Sequence, residues 1–575
     1  MGIRPNVGRG GGVAAPTLGR RLAIVSAVAA LLAGGGVFRV SRAAEIDPRA
    51  RADRALCGRN DLPETGIEGD VPMADQISGR AALGYNCGIA LVGHVDLAGG
   101  SSNQAWVGSC AYVAQVTTGT ARGDDRSLDA LTQVVDVSDP THPRLAGYLH
   151  GPGSSSTTET LAAVQAAGRS VLVAGHYSGN VVEVHSPDGS FRSGSGTQPV
   201  DIYDVSDCVH PVLMSTIQLP IGVHNLTLSA DGRRMFSTMP LQVTDISDLR
   251  HPVYLGNLQD QLPKKGNVDD GRGIFEDQVA HLAAVSPDGK RLYVGSQTKA
   301  INDERFWIID IDGWPQAPPK VVGESTGAGH GVSLARIGGR PYVLHSNEDF
   351  VDPTAKGCAP PDLNPVASAA IAELTDISDE TAPKTVSELR LAINRPENCA
   401  IQSASGVNAS THYHDVDDPN DTTFAMVSSW NAGVRIWDVR NPKAPRAVAY
   451  FNTGSWGALY DQPAAHVTNG LFANSLDRAW ARVRYVARTG QIWMPTAVGG
   501  YWVLELEPQV RAALGLPRVR VLHPDGSAPR PPGVTSTAAP ATSTDAIVYC
   551  TLSWQTTAAR MSAGRLASSP AVPGR

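Results

Sequence analysis

The sequence predicts an all-β fold, a seven-bladed β-propeller of four-stranded antiparallel blades. Three observations predict it. A ten-residue phrase recurs along the chain, its copies are spaced by the length of a blade, and the pieces upstream of each copy read as strands joined by tight turns. The chain has 575 residues, 42% hydrophobic and 18% charged, enough apolar surface for a sizeable core and unlike a disordered chain. Its 59 glycines and 40 prolines favour many turns over long helices. A formal net charge of -7 leaves no basic excess, so nucleic acid is not an expected partner.

The phrase reads VVDVSDPTHP at 134–143, IYDVSDCVHP at 202–211, VTDISDLRHP at 243–252, LTDISDETAP at 374–383 and IWDVRNPKAP at 436–445. A looser copy is IIDIDGWPQAP at 308–318, and VLELEP at 503–508 is a remnant. In the five good copies an Asp is followed seven residues later by Pro. Alternating aliphatic residues before the Asp predict a half-buried strand. Ser-Asp/Asn-Pro is turn chemistry, because the short polar side chains bond the local backbone and Pro fixes φ. The second Pro lacks a backbone donor and suits only an outer strand.

The Asp positions, counting Glu505 as the seventh, are separated by 68, 41, 65, 66, 62 and 67 residues. The shortest is about what a four-stranded blade needs, and the others leave room for loops. Two further strands precede each phrase. HLAAVSPDG (281–289) and KRLYVGSQ (290–297) are a strand, a Pro-Asp-Gly turn and a strand; SADGRRMF (229–236) and ARIGGRPYV (335–343) repeat the design. Blade seven lacks the turn phrase, and its outer strand is expected from 517–523 or from the N-terminal segment closing the ring.

The phrase resembles the LVIVD repeat of exported bacterial propellers, over roughly residues 86–507. Its YD-[IV]-S-D-P form is similar, in part, to that of selenium-binding/methanethiol-oxidase-type propellers. The resemblance implies the architecture and says little of activity.

Outside the propeller (86–523), residues 1–44 read as a signal peptide. Four arginines and no acid precede an apolar run, Leu22 to Val37, and a small-residue exit at Ser41-Arg42-Ala43-Ala44. An uncleaved anchor is the alternative; no other stretch is long enough to span a membrane. The expected location is extracellular or envelope-associated. Residues 45–85 form a polar lead segment, and 524–575 a tail rich in Pro, Ala, Ser and Thr. Seven cysteines without a CxxC fit disulfides in an oxidising compartment, with Cys358–Cys399 the expected pair.

No nucleophile elbow, HExxH, phosphate loop or dinucleotide fingerprint is present. The histidines, however, share a register. His224, His281, His330 and His412, with His414 two residues later, open the first strand of blades three to six, and His94 is the candidate for blade one. First strands line a propeller's channel, so these imidazoles are placed either as a ring that binds Fe, Cu, Mn or Zn at the channel mouth or as hydrogen-bonding struts between strands. Blade two has no His in register, and blade seven offers Trp480 or Arg482. His345 and Glu348 are candidates for a general base or a further ligand. Asp415, Asp417, Asp418 and Asp421 are Ca²⁺-type donors without EF-hand spacing, and a polar turn explains them equally. The segment 453–480, with His466 and several aromatics, is a candidate rim over the channel.

Two functions follow. One is a binding or scaffold propeller for a protein or glycan partner. The other is a metal-dependent oxidoreductase or hydrolase acting on a small molecule at the channel mouth. A lactonase-like calcium set is not assembled by this sequence.

Overall fold

The computed structural model describes residues 56–97, 103–114, 131–155, 157–177, 184–185, 191–192, 198–262, 278–298, 305–326, 329–347, 371–407, 409–454, 476–497, 499–520 and 522. The signal segment, Glu348, Cys358, most of 453–480 and the tail lie outside them.

Seven antiparallel sheets of four blade strands each form a propeller. Blade one consists of Gln104–Val107, Cys110–Val113, Gln133–Asp136 and Arg144–Tyr148. Blades two to six follow in the same order from first strands Leu161–Ala166, Leu226–Leu228, Gln278–Val285, Gly331–Ile337 and His414–Val416. The first strands of blades one to six lie beside one another around the axis.

The repeated phrase does the same work in each blade. Its Asp ends the third strand and accepts from the backbone N–H two residues on: Asp136 from Ser138 at 2.9 Å, Asp204 from Ser206 at 2.9 Å, Asp245 from Ser247 at 2.8 Å, Asp310 from Asp312 at 2.9 Å and Asp376 from Ser378 at 2.8 Å. A second Asp closes the next turn in the same way, as Asp139 does with Thr141 and Asp248 with Arg250. A register shift lies just before each of these Asp residues, for example between Val134 and Val135 and between Leu374 and Thr375. The bulge turns the third strand's end away from its partner and sharpens the local twist. The outer strand then starts one residue after the second Pro, as at Arg144, Val212, Val253, Lys384 and Arg446.

The N-terminal segment closes the ring. Ile89–Val95 is the fourth strand of blade seven and pairs antiparallel with Gly500–Leu506, from Ile89 opposite Leu506 to Val95 opposite Tyr501. This decides between the two sources expected for that strand. It also moves His94 from an inner strand to an outer one, because the true first strand of blade one begins at Gln104. Gly93 sits where a Cβ would lie 2.3 Å from the Pro140 carbonyl oxygen, so the closing strand packs directly on the turn of blade one.

Before this strand the chain anchors itself to blade six. Tyr85–Cys87 adds a fifth strand beside Arg446–Asn452, and Cys87 is disulfide-bonded to Cys57. Ile67 and Val71 join the core formed by Leu391, Ile393, Trp437 and Tyr450. Glu64 forms an ion pair with Arg435, both fully buried, and the guanidinium also donates to the Ala432 carbonyl at 2.8 Å and lies 4.5 Å over the Tyr450 ring. A second disulfide, Cys110–Cys208, ties blade one to blade two. Cys399 is disulfide-bonded as well, and the expected partner Cys358 lies outside the described residues. No helix among the described residues is long and apolar enough to cross a membrane.

Removing Arg435 leaves the buried Glu64 carboxylate beside Glu68 without its ion-pair partner. Arg435→Ala is expected to lose about 3–5 kcal/mol of stability in urea unfolding, and Glu64→Leu/Arg435→Met to recover most of it.

Candidate metal centre

The start of each first strand is the point where seven equivalent positions approach the axis. His224 and Asn225 precede Leu226 in blade three, and Glu159 and Thr160 precede Leu161 in blade two. The register position without a histidine in blade two is therefore filled by a carboxylate. Comparing ETLAAVQAAGRSVLV with HNLTLSADGRRMFST reveals it: both run from the register residue through Leu into a strand, a turn and a second strand.

Glu159, His224 and His281 bring one donor atom each within 4.8 Å of one another. Glu159 Oε2 lies 3.4 Å from His224 Nε2 and 3.6 Å from His281 Nε2, and the two nitrogens are 2.9 Å apart. His412 enters from the far side of the ring, its Nε2 3.7 Å from Glu159 Oε1. His330 stacks on His281 with ring centroids 3.6 Å apart. All five side chains are at most 3% exposed.

The backbone assigns the tautomers. His281 Nδ1 lies 3.1 Å from the His330 carbonyl oxygen, and His412 Nδ1 lies 2.7 Å from that of Trp480. A carbonyl only accepts, so each Nδ1 carries a proton and each ring turns its Nε2 toward Glu159. Burial drives the His281 imidazole well below its usual pKa, and the neighbouring His330 and His224 add to this, so it is neutral. Burial raises the Glu159 carboxyl, but the attraction of His224 and a hydrogen bond from it lead the effects that overcome this and hold the carboxylate ionised. Imidazole nitrogens and a carboxylate thus converge in a dry place, a donor set that could hold a metal ion. Donor atoms about 3 Å apart are those of cis ligands at bonds of about 2.0–2.1 Å.

Tyr413 crosses the axis from blade six. Its hydroxyl donates to Glu159 Oε2 at 2.8 Å and accepts from Asn225 Nδ2 at 2.6 Å. Beyond this pair the first strands line a cavity of about 1050 Å³, which His414 borders and His224, His281, His330 and His412 do not. On the other side Trp430 and Trp480 lie within 6.3 Å of the His412 ring, and the Arg478 guanidinium packs 5.4 Å from the Trp430 ring.

The remaining predicted residues are elsewhere. His414 turns between blades, with Nδ1 3.0 Å from Ser333 Oγ. His345 lies inside blade five, its Nε2 2.7 Å from Thr375 Oγ1 and its Nδ1 3.8 Å from Glu373, which is a strut's environment. Glu348 lies outside the described residues. His94 stacks on Trp502 at 4.2 Å and bonds the Gly499 carbonyl on the outer strand of blade seven. The acidic stretch is a satisfied turn. Asp417 Oδ1 accepts from the Thr423 and Phe424 amides, Asp418 Oδ1 from the Asn420 amide, and Asp415 Oδ2 from Arg482.

No family model matches this chain, and no curated protein does. Among solved structures it is similar to the β-propeller domain of Cps50 (Swd1) from Myceliophteria thermophila, with TM-score 0.44 and 10% identity over 72% of this chain and 99% of that one. It is also similar to Sqt1 from Chaetomium thermophilum, with TM-score 0.39 and 14% identity over 72% and 97%. A further structure of Sqt1, bound to the N-terminus of the ribosomal protein L10, gives TM-score 0.38 and 14% identity over 72% and 98%.

Burial pushes the Asp417 carboxyl up to about 6. A raised carboxyl favours the fold below its unfolded pKa, and that contribution is lost as pH rises through about 6. Asp417→Asn keeps the acceptor oxygen without the charge. It is expected to unfold later than the parent at pH 8, by of order 1 kcal/mol after solvent screening, with the difference gone below about pH 4. Thermal melts across pH measure this.

Proposed function

We propose that this protein is a metal-dependent enzyme whose metal is held by Glu159, His224 and His281 at one end of the propeller channel, with His412 beside the other oxygen of the carboxylate. The observation that carries the reading is the convergence of three imidazole Nε2 atoms on one carboxylate, with all four residues buried and two rings oriented through Nδ1 by backbone carbonyls. Hydrogen bonds from Nδ1 to a backbone carbonyl set the tautomer of metal-binding histidines.

The donor set supports an oxidoreductase ahead of a hydrolase. Glu159, His224 and His281 are two imidazoles and a carboxylate, mutually adjacent, which is the composition of non-haem Fe(II) sites with open positions. Copper, manganese and zinc share these donors and are distinguished by analysis. The expected binding or scaffold role shares the same fold, and what separates it from the enzyme reading is this centre. We further infer that the chain is an exported LVIVD-type propeller; the repeat phrase and the disulfides Cys57–Cys87 and Cys110–Cys208 support an oxidising compartment.

The test is elemental analysis of the protein purified without a histidine tag or chelator. About one equivalent of a transition metal is expected, lost in Glu159→Ala and in His281→Ala and retained in His345→Ala. A metal-free parent, or retention in both ligand variants, overturns the reading.

A further inference from the structure

The two oxygens of Glu159 have different surroundings. Oε2 faces His224 and His281, whereas Oε1 faces His412. The backbone of Glu159 is fixed where blade two's first strand begins, and its carbonyl accepts from Asn103 Nδ2 at 2.9 Å. Nothing in that backbone sets how the carboxylate is turned. A carboxylate on a rotatable stem meets a cation through one oxygen or through both.

Tyr413 sets the turn. Its hydroxyl donates to Oε2 at 2.8 Å. The direction of this bond follows from its neighbours. The Leu226 amide donates to Asn225 Oδ1 at 3.0 Å, so Asn225 Nδ2 is the atom that faces the Tyr413 oxygen, at 2.6 Å. An amide nitrogen only donates. The phenol oxygen therefore accepts from Asn225, and its single proton is left for Glu159. The Tyr413 ring is itself packed, edge-on to the His412 ring with centroids 4.4 Å apart. Glu159, Asn225 and Tyr413 are all buried, so water does not compete for these bonds.

A carboxylate oxygen has two lone-pair sites. On Oε2 Tyr413 takes one, and one remains for an ion among Glu159, His224 and His281.

We propose that Tyr413 is a positioning residue of the centre: its hydroxyl, aimed by Asn225, holds Glu159 so that the carboxylate meets the metal through Oε2 alone. This rests on the metal reading. A carboxylate held to one oxygen leaves free a coordination position that a chelating carboxylate fills, and a catalytic metal needs such an open position for its substrate.

The test replaces the metal of the full-length protein with Co²⁺, whose visible absorption weakens as its coordination number rises. The parent is expected to bind about one equivalent. Tyr413→Phe keeps the ring and removes only the hydroxyl. It is expected to weaken Co²⁺ binding about tenfold, the low end of what losing such a partner costs, and to lower the absorption per bound ion as the second oxygen joins. Asn225→Ala leaves the hydroxyl without its aim and is expected to move the spectrum the same way with a smaller loss of affinity. Should Tyr413→Phe fail to fold, Asn225→Ala decides on the same spectrum. A tyrosine that only packs changes stability and leaves the spectrum alone. An unchanged spectrum, with or without a loss of affinity, therefore overturns the positioning role while the metal reading stands. A parent that takes up no Co²⁺ overturns the metal reading and the positioning role with it.

Discussion

Everything at the candidate centre depends on closing the ring. Glu159 and His412 belong to blades two and six, yet their side chains meet at 3.7 Å. That contact exists only if the inner strands return to a common axis, and the return is held by one strand pairing, Ile89–Val95 against Gly500–Leu506. The closing strand is in turn held from outside. The disulfide Cys57–Cys87, the added strand Tyr85–Cys87 and the buried Glu64–Arg435 pair fix the chain to blade six just before it enters blade seven. A buried ion pair is poor evidence of net stability, but it is intolerant of misregister. Here it sits where misregister would open the ring.

The propeller also has two unlike faces. First strands begin at the histidine end of the axis, so every connection from a second to a third strand, or from one blade to the next, leaves from that end. The other end carries the connections within hairpins, such as Ser286-Pro287-Asp288-Gly289, and the Asp-Ser-Asp turns. Those short turns are closed by their own side chains and make the mouth of the central cavity. Turn chemistry is thus repeated from blade to blade at the end opposite the one where the donor atoms converge.

Much of the fold was legible in the sequence because the repeat encodes local physics. Asp136, Asp204, Asp245, Asp310 and Asp376 each cap a turn through their own backbone neighbours, and the Pro seven residues after the Asp marks the outer strand in the five good copies. Such interactions span two to seven residues, and a motif records them. The closing strand was only one of two alternatives, because its partner lies some four hundred residues away and nothing in LVGHVDL names it. His94 was misplaced for that reason. His224, His281, His330 and His412 were found as a register, since they repeat. Glu159 was missed because the search followed residue type, whereas the axis selects position. His414 shows the complementary error: two residues from His412, it shares the strand's alternation and still points between blades at Ser333.

Position, rather than residue type, also explains how one ring can be a strut and a ligand set at once. His345 and His414 find hydroxyl partners within 3.0 Å inside or between blades. His281 and His412 instead spend their Nδ1 protons on backbone carbonyls and turn Nε2 inward, where they meet a carboxylate held ionised. A strut needs a donor opposite an acceptor. His412 Nε2 and Glu159 Oε1, 3.7 Å apart, are both acceptors when the imidazole is neutral, and His281 Nε2 adds a third. Repulsion among buried lone pairs is costly unless a cation lies between them. Tyr413 gives its proton to Glu159. A divalent ion among Glu159, His224 and His281, whose donor atoms lie within 4.8 Å of one another, would satisfy all three at once.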